Sequence, residues 1–211
     1  IAVIIRNIKQ AIKALSGLEN DYPFLQQNVI VANNIKEVKK AFGWNNDPIL
    51  DRPDIYDFDY IEDINERRIR DAESLGLVMR NAAPKTALEI GTANGMGTIL
   101  MAVNAPNSKV YTVNIPPEEI EEGKGGHLIT VALERDQIGI EYKKRGITNV
   151  ELIYANTATW NPNIGFIDVA FIDGCHDTEF VFNNTGKGLQ LLQAGFVILG
   201  HDFNHELPNR Y

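Results

Sequence analysis

The stretch ALEIGTANGMG, residues 87–97, decides the fold. Ala87 to Ile90 is the end of an apolar run suited to a buried strand, Gly91 and Gly95 permit a tight turn, and Thr98 to Ala102 opens an apolar helical run. Strand, glycine turn and helix together make a cradle. The loop amides and the helix start offer donors to a polar ligand, and glycines without side chains let that ligand approach the backbone. A dinucleotide fingerprint needs G-x-G-x-x-G directly after the strand. Here the glycines fall as G-x-x-x-G-x-G, with the acidic Glu89 two positions before the first. A nicotinamide dinucleotide fits that spacing poorly.

Downstream of Thr86 the pattern repeats as strand, loop, helix. The expected strands are 86–90, 109–113, 150–154, 167–172 and 196–199, with helices near 98–103, 129–145 and 180–192. That alternation implies an α/β fold with a doubly wound, mostly parallel sheet. Residues 115–128, IPPEEIEEGKGGHL, form a longer Gly- and Pro-rich connection over the crevice; its His127 is expected to be an exposed loop histidine. Upstream, Val3, Ile4, Ile8, Ala11, Ile12 and Leu15 lie at helical spacing, which predicts an amphipathic helix over 2–16. Irregular chain follows, with a short periodic piece at 35–42. The acidic run from Asp51 to Glu66 is interleaved with aromatics and is expected to be a solvated surface, or else a substrate lid. Residues 61–81 then predict a helix ended by Pro84. The expected division is an N-terminal helical and irregular extension, 1–84, and an α/β domain, 85–211.

Composition narrows the function. A chain of 211 residues, 44% hydrophobic, can bury one good core. A net charge of -8 argues against broad nucleic-acid binding and favours small-molecule chemistry. Cys175 is the single cysteine, so no intrachain disulfide forms, and no apolar run is long enough to span a membrane. A cytoplasmic protein is expected, with homo-oligomerisation open.

Ligands of open α/β sheets bind beyond the carboxyl ends of the strands. In this chain those ends are polar throughout: Glu89 and Gly91, Asn114, Asn156 and Thr157, Asp173, and His201 with Asp202. The motif LEIGTANG, together with FIDGCH at 171–176 and GFVILGHDF at 195–203, resembles the class I S-adenosylmethionine-dependent methyltransferases, most nearly the small-molecule O-methyltransferases. The resemblance runs from Thr86 to about Asp202 and implies a Rossmann-like methyltransferase fold.

It further implies that Glu89, Gly91, Thr92 and Gly95 surround the methionine portion of S-adenosylmethionine, with Asp173 beside the cofactor. Asn114 would meet the ribose, and Asn156 with Thr157 the adenine. In the family both of those places are more often acidic, and an amide lacks a carboxylate's charge-assisted strength. Asp173, Asp202 and His201 would hold a divalent metal such as Mg, and His176 with Asp173 would be catalytic. The family normally adds further strands after the fifth, so the domain is expected either to be truncated there or to complete its sheet otherwise. The implied activity is O-methylation of a hydroxylated small molecule. Rival readings are a noncatalytic nucleoside- or partner-binding module and, less well matched, a nicotinamide-dependent oxidoreductase.

Overall fold

The computed structural model describes residues 2–5, 29–32, 34–50, 62–127 and 132–201. It divides into two compact units, Ile1–Asn46 and Asp47–Tyr211. In the first, Ala2–Ile5 (β1) pairs antiparallel with Val29–Ala32 (β2), and Ile35–Phe42 (α1) follows. The helix expected over 2–16 is thus corrected at residues 2–5, and 6–16 lie outside the described residues. AVII and VIVA are rich in β-branched side chains, which favour a pleated surface, and a short apolar run carries no period that separates strand from helix. At α1 the Asn34 side chain accepts from Glu37 N–H at 3.1 Å, and Gly43 closes the helix in the left-handed region.

The second unit begins its regular structure with Glu62–Ala82 (α2) and then alternates: Thr86–Ile90 (β3), Met96–Asn104 (α3), Lys109–Asn114 (β4), Pro117–Glu121 (α4), Ile140–Lys144 (α5), Val150–Tyr154 (β5), Ile167–Ile172 (β6), Thr178–Leu191 (α6) and Leu192–Gly200 (β7). The five strands β3 to β7 form one sheet in the order β5-β4-β3-β6-β7, with every described pairing parallel. The expected boundary at 84/85 falls inside this unit, because α2 packs on α3 and reaches β6. Gly76 makes the approach possible: a Cβ there would lie 3.0 Å from Asn104 Nδ2. Asn104 also ties in the chain before α2, accepting from Ile49 N–H at 2.7 Å and donating to Ile49 O at 2.9 Å. Residues 51–61 of the acidic run lie outside the described residues.

Of the helix expected over 129–145, residues 129–131 lie outside the described residues, and within 132–145 it shrinks to α5. Gly139 takes φ +68, and the amides of Gly139 and Glu141 donate to Ala93 O (2.8 Å) and Asn94 O (3.0 Å) in the glycine loop. Those donors serve a tertiary contact, so Gly139 lies outside the helix. One face of the sheet carries Leu88, Ile90, Val113, Ala170 and Ile172, which cluster with Ile167 at the start of β6 and with Leu191, Leu192 and Ile198. By alternation Ala87, Glu89, Val110, Thr112 and Val169 take the other face, toward α2 and α3, and all are buried. No described helix is long and apolar enough to cross a membrane.

Candidate active site

Strand order reverses between β3 and β6, since the chain runs β3, β4, β5 to one side and then β6, β7 to the other. The crevice that such a reversal opens lies beyond the carboxyl ends of those strands. Here the ladder continues past the ends: Gly91 N–H donates to Val113 O at 2.9 Å and Asp173 N–H to Ile90 O at 2.8 Å. Gly91 has φ +110, and a Cβ on it would run into the Asp173 carbonyl oxygen. The two strand ends are therefore pressed together at a glycine that no other residue can replace without moving one of them.

A cavity of about 200 Å³ lies beyond these ends. Gly91 and Ala93 after β3, Asn114 and Ile115 after β4, and Asn156 and Thr157 after β5 line one side. Asp173, Gly174 and His176 after β6, and Phe180 and Asn184 on α6, line the other. Sequence alone places six of these in a site: Gly91, Asn114, Asn156, Thr157, Asp173 and His176. It misses Asn184, for which the available signal is the spacing Phe180, Asn184, Gly188, one polar residue on an otherwise inward stripe.

Glu89 and Thr92 do not line this cavity; they form its support. Glu89 is 1% exposed and its Oε2 accepts from the hydroxyls of Thr98 and Thr112, both at 2.5 Å. Thr112 Oγ1 lies 2.6 Å from Thr92 Oγ1, so, with its proton committed to Glu89, it accepts from Thr92. Burial pushes the Glu89 carboxyl up to about 8; the Thr112 and Thr98 hydroxyls oppose that rise, and the negative charge of Asp173 adds to it. Gly95 starts α3 at φ +97, in a space where a Cβ would lie 2.9 Å from Tyr142 Cδ1.

The two asparagines at the strand ends are differently employed. Asn114 Oδ1 accepts from Ala93 N–H at 3.1 Å and its amide donates to Ile115 O at 2.9 Å, so it braces the glycine loop. Asn156 donates to Glu119 Oε2 (2.8 Å) and Lys124 O (3.2 Å), while its Oδ1 accepts from Ala158 N–H at 3.0 Å. Its side chain therefore clamps the 115–127 connection down beside the cavity. At the far end of that connection His127 N–H donates to Asp177 Oδ2 at 2.5 Å. Asn156→Ala should cost about 1–3 kcal/mol by leaving these groups unpaired and should speed tryptic cleavage after Lys124. Unchanged cleavage in a folded variant would show that the clamp does not hold the connection.

At the β6–β7 edge, His201 stands between two carboxylates. Its Nδ1 is 3.2 Å from Asp173 Oδ1 and its Nε2 is 3.3 Å from Asp71 Oδ2, on α2. Only the imidazolium can donate to both. The His176 ring meets the His201 ring edge-on, with centroids 6.2 Å apart. The structure thus brings Asp173, His176 and His201 together, and adds Asp71, which no sequence pattern distinguishes from its helical neighbours.

Residues 88–203, more than half of the chain, match the family described as a methyltransferase domain. This chain belongs to the S-adenosylmethionine-dependent methyltransferases. The S-adenosylhomocysteine-bound methyltransferase PaMTH1 of Podospora anserina is similar over 82% of this chain and 72% of its own, at 18% identity and a TM-score of 0.50. An O-methyltransferase of Bacillus cereus in complex with S-adenosylhomocysteine is similar over 89% of this chain and 70% of its own, at 17% identity and a TM-score of 0.46. At such identities the likeness is one of fold, the Rossmann-like methyltransferase fold. A search of curated protein sequences finds no match.

The methyltransferase's cavity suits a nucleoside-bearing cofactor: a glycine loop borders it, polar strand ends surround it, and Asn184, on its wall, keeps a buried Oδ1 without a hydrogen-bond partner. A metal site is less complete. Among the described residues no group of three or more His, Cys, Asp and Glu side chains is arranged to hold an ion. Of the expected ligands, Asp173 and His201 contact each other and Asp202 lies outside the described residues.

Proposed function

We propose that this methyltransferase transfers a methyl group to a hydroxyl of a small molecule. The observation that carries the reading is the meeting, in one cavity, of four parallel strand ends, with amides and the glycine loop on one side and Asp173 and His176 on the other. The bound cofactor would supply an electrophilic methyl on a sulfonium. Gly91, Thr92 and Gly95 shape the loop around its methionine portion, Glu89 holds that loop from below, and Asp173 faces the same portion. Asn114 lies toward the ribose and Thr157 toward the base.

The chain's own work is positioning, exclusion of water and proton removal. His176 takes the proton of the acceptor hydroxyl as general base. Asp173 and His201 orient that end of the cavity, and with Asp202 they are the candidate ligands for a divalent ion. The acidic total of -8 favours a small acceptor over nucleic acid.

Calorimetric titration with S-adenosylmethionine and S-adenosylhomocysteine tests the cofactor, and absence of binding to either would end this reading. With an accepted hydroxyl substrate, His176→Ala should lower the rate by about 10²-fold or more with little change in cofactor affinity. Chelator should lower it further only if the Asp173, His201 and Asp202 set holds an ion. Wild-type rates in His176→Ala would remove the base from the mechanism.

A further inference from the structure

Asn156 occupies the place where the resemblance expects the base to be read, yet its side chain is committed to the protein. Its oxygen serves Ala158 N–H, and its nitrogen serves Glu119 and Lys124. In the same cavity Asn184 is 1% exposed, and its Oδ1 has no hydrogen-bond partner. An unpaired buried amide oxygen is costly. It persists where something else supplies the missing donor.

The position of Asn184 narrows what that donor is. The preceding residue, Asn183, donates from Nδ2 to Thr157 O at 2.6 Å, which pins this turn of α6 to the loop after β5. On its other side Asn184 abuts Gly174, where a Cβ would lie 3.1 Å from Nδ2. Its amide therefore sits between the ends of β5 and β6, at the side of the cavity where the proposed function puts the base. With Nδ2 on the Gly174 side, Oδ1 is the amide atom left for a ligand's donor.

We propose that Asn184 is the residue that selects the cofactor's base, its Oδ1 accepting a hydrogen bond from the exocyclic 6-amino group of adenine. The inference rests on the methyltransferase reading and adds a specificity residue to it. A 6-oxo purine presents an acceptor to the same oxygen, so the two oxygens repel and neither is satisfied. Asn184 thereby distinguishes aminopurine from oxopurine nucleosides.

The test compares binding of S-adenosylhomocysteine with that of its hypoxanthine analogue, S-inosylhomocysteine, in wild type, Asn184→Leu and Asn184→Asp. Wild type should prefer the adenine ligand by about tenfold or more. Asn184→Leu, which removes the orphaned oxygen at similar volume, should fold at least as well and lose the preference to within about threefold. Asn184→Asp keeps an acceptor and should keep the preference; if Asn184→Leu does not fold, its loss in Asn184→Asp overturns the assignment. Preference retained in Asn184→Leu, or equal binding of the two ligands by wild type, overturns the assignment and leaves the methyltransferase reading standing. Failure of wild type to bind either ligand removes both.

Discussion

Gly91→Ala is expected to lose cofactor binding and a large part of the protein's stability together. The residue has φ +110, where an L side chain is strained, and its Cβ would collide with the carbonyl oxygen of Asp173 rather than with a flexible side chain. Backbone cannot yield cheaply, so β3 and β6 must separate at their carboxyl ends, where they border the cavity. A cost of about 3 kcal/mol or more follows from combining positive-φ strain with overpacking. Thermal unfolding and titration with S-adenosylhomocysteine would measure both effects. In sequence, Gly91 reads as a glycine that leaves a ligand room at the backbone; in the structure its missing side chain serves the joint between two strands. A folded Gly91→Ala variant with wild-type melting temperature and affinity would refute that joint.

Glu89 should make stability fall as pH rises. In the unfolded chain its carboxyl ionises near 4.5, whereas in the folded protein burial holds it protonated up to about 8. Between those values the folded state binds the extra proton. The contribution is therefore fully present below about 4.5, and it is lost as pH climbs through about 8. Over that window the change is on the order of 5 kcal/mol. Glu89→Gln keeps an acceptor for the Thr98 and Thr112 hydroxyls but cannot ionise, so its denaturant midpoint should lack this slope and exceed that of wild type at pH 9. Parallel pH profiles for the two proteins would show that Glu89 is not the titrating group.

Most of the α/β unit is legible in sequence because its determinants are local. The strand 86–90, the glycine turn and the helix after it depend on apolar runs and on conformations only glycine adopts freely, and β3, β4, β5 and β6 match their expected spans within a residue. Where a segment's backbone donors serve distant partners, local pattern fails. Gly139 and Glu141 spend theirs on the glycine loop, and so the described part of the periodic run, 132–145, keeps only a short helix. The pair β1 and β2 is a second case, since an apolar tetrapeptide gains its strand identity from the partner it meets.

By itself the sequence determined the nucleotide-cradle motif, the parallel alternation and the presence of polar residues at each strand end, because period and glycine placement are properties of the chain. Tertiary structure alone decided what those residues do. Asn114 and Asn156, equivalent in sequence reasoning, became a brace for the glycine loop and a clamp on the 115–127 connection, according to which backbone groups folding brought near them. His201 acquired Asp71 from a helix 130 residues earlier, and Asn184 became the unpaired amide on the cavity wall. Hydrogen bonds between such distant residues are chosen by packing geometry, which no local pattern records.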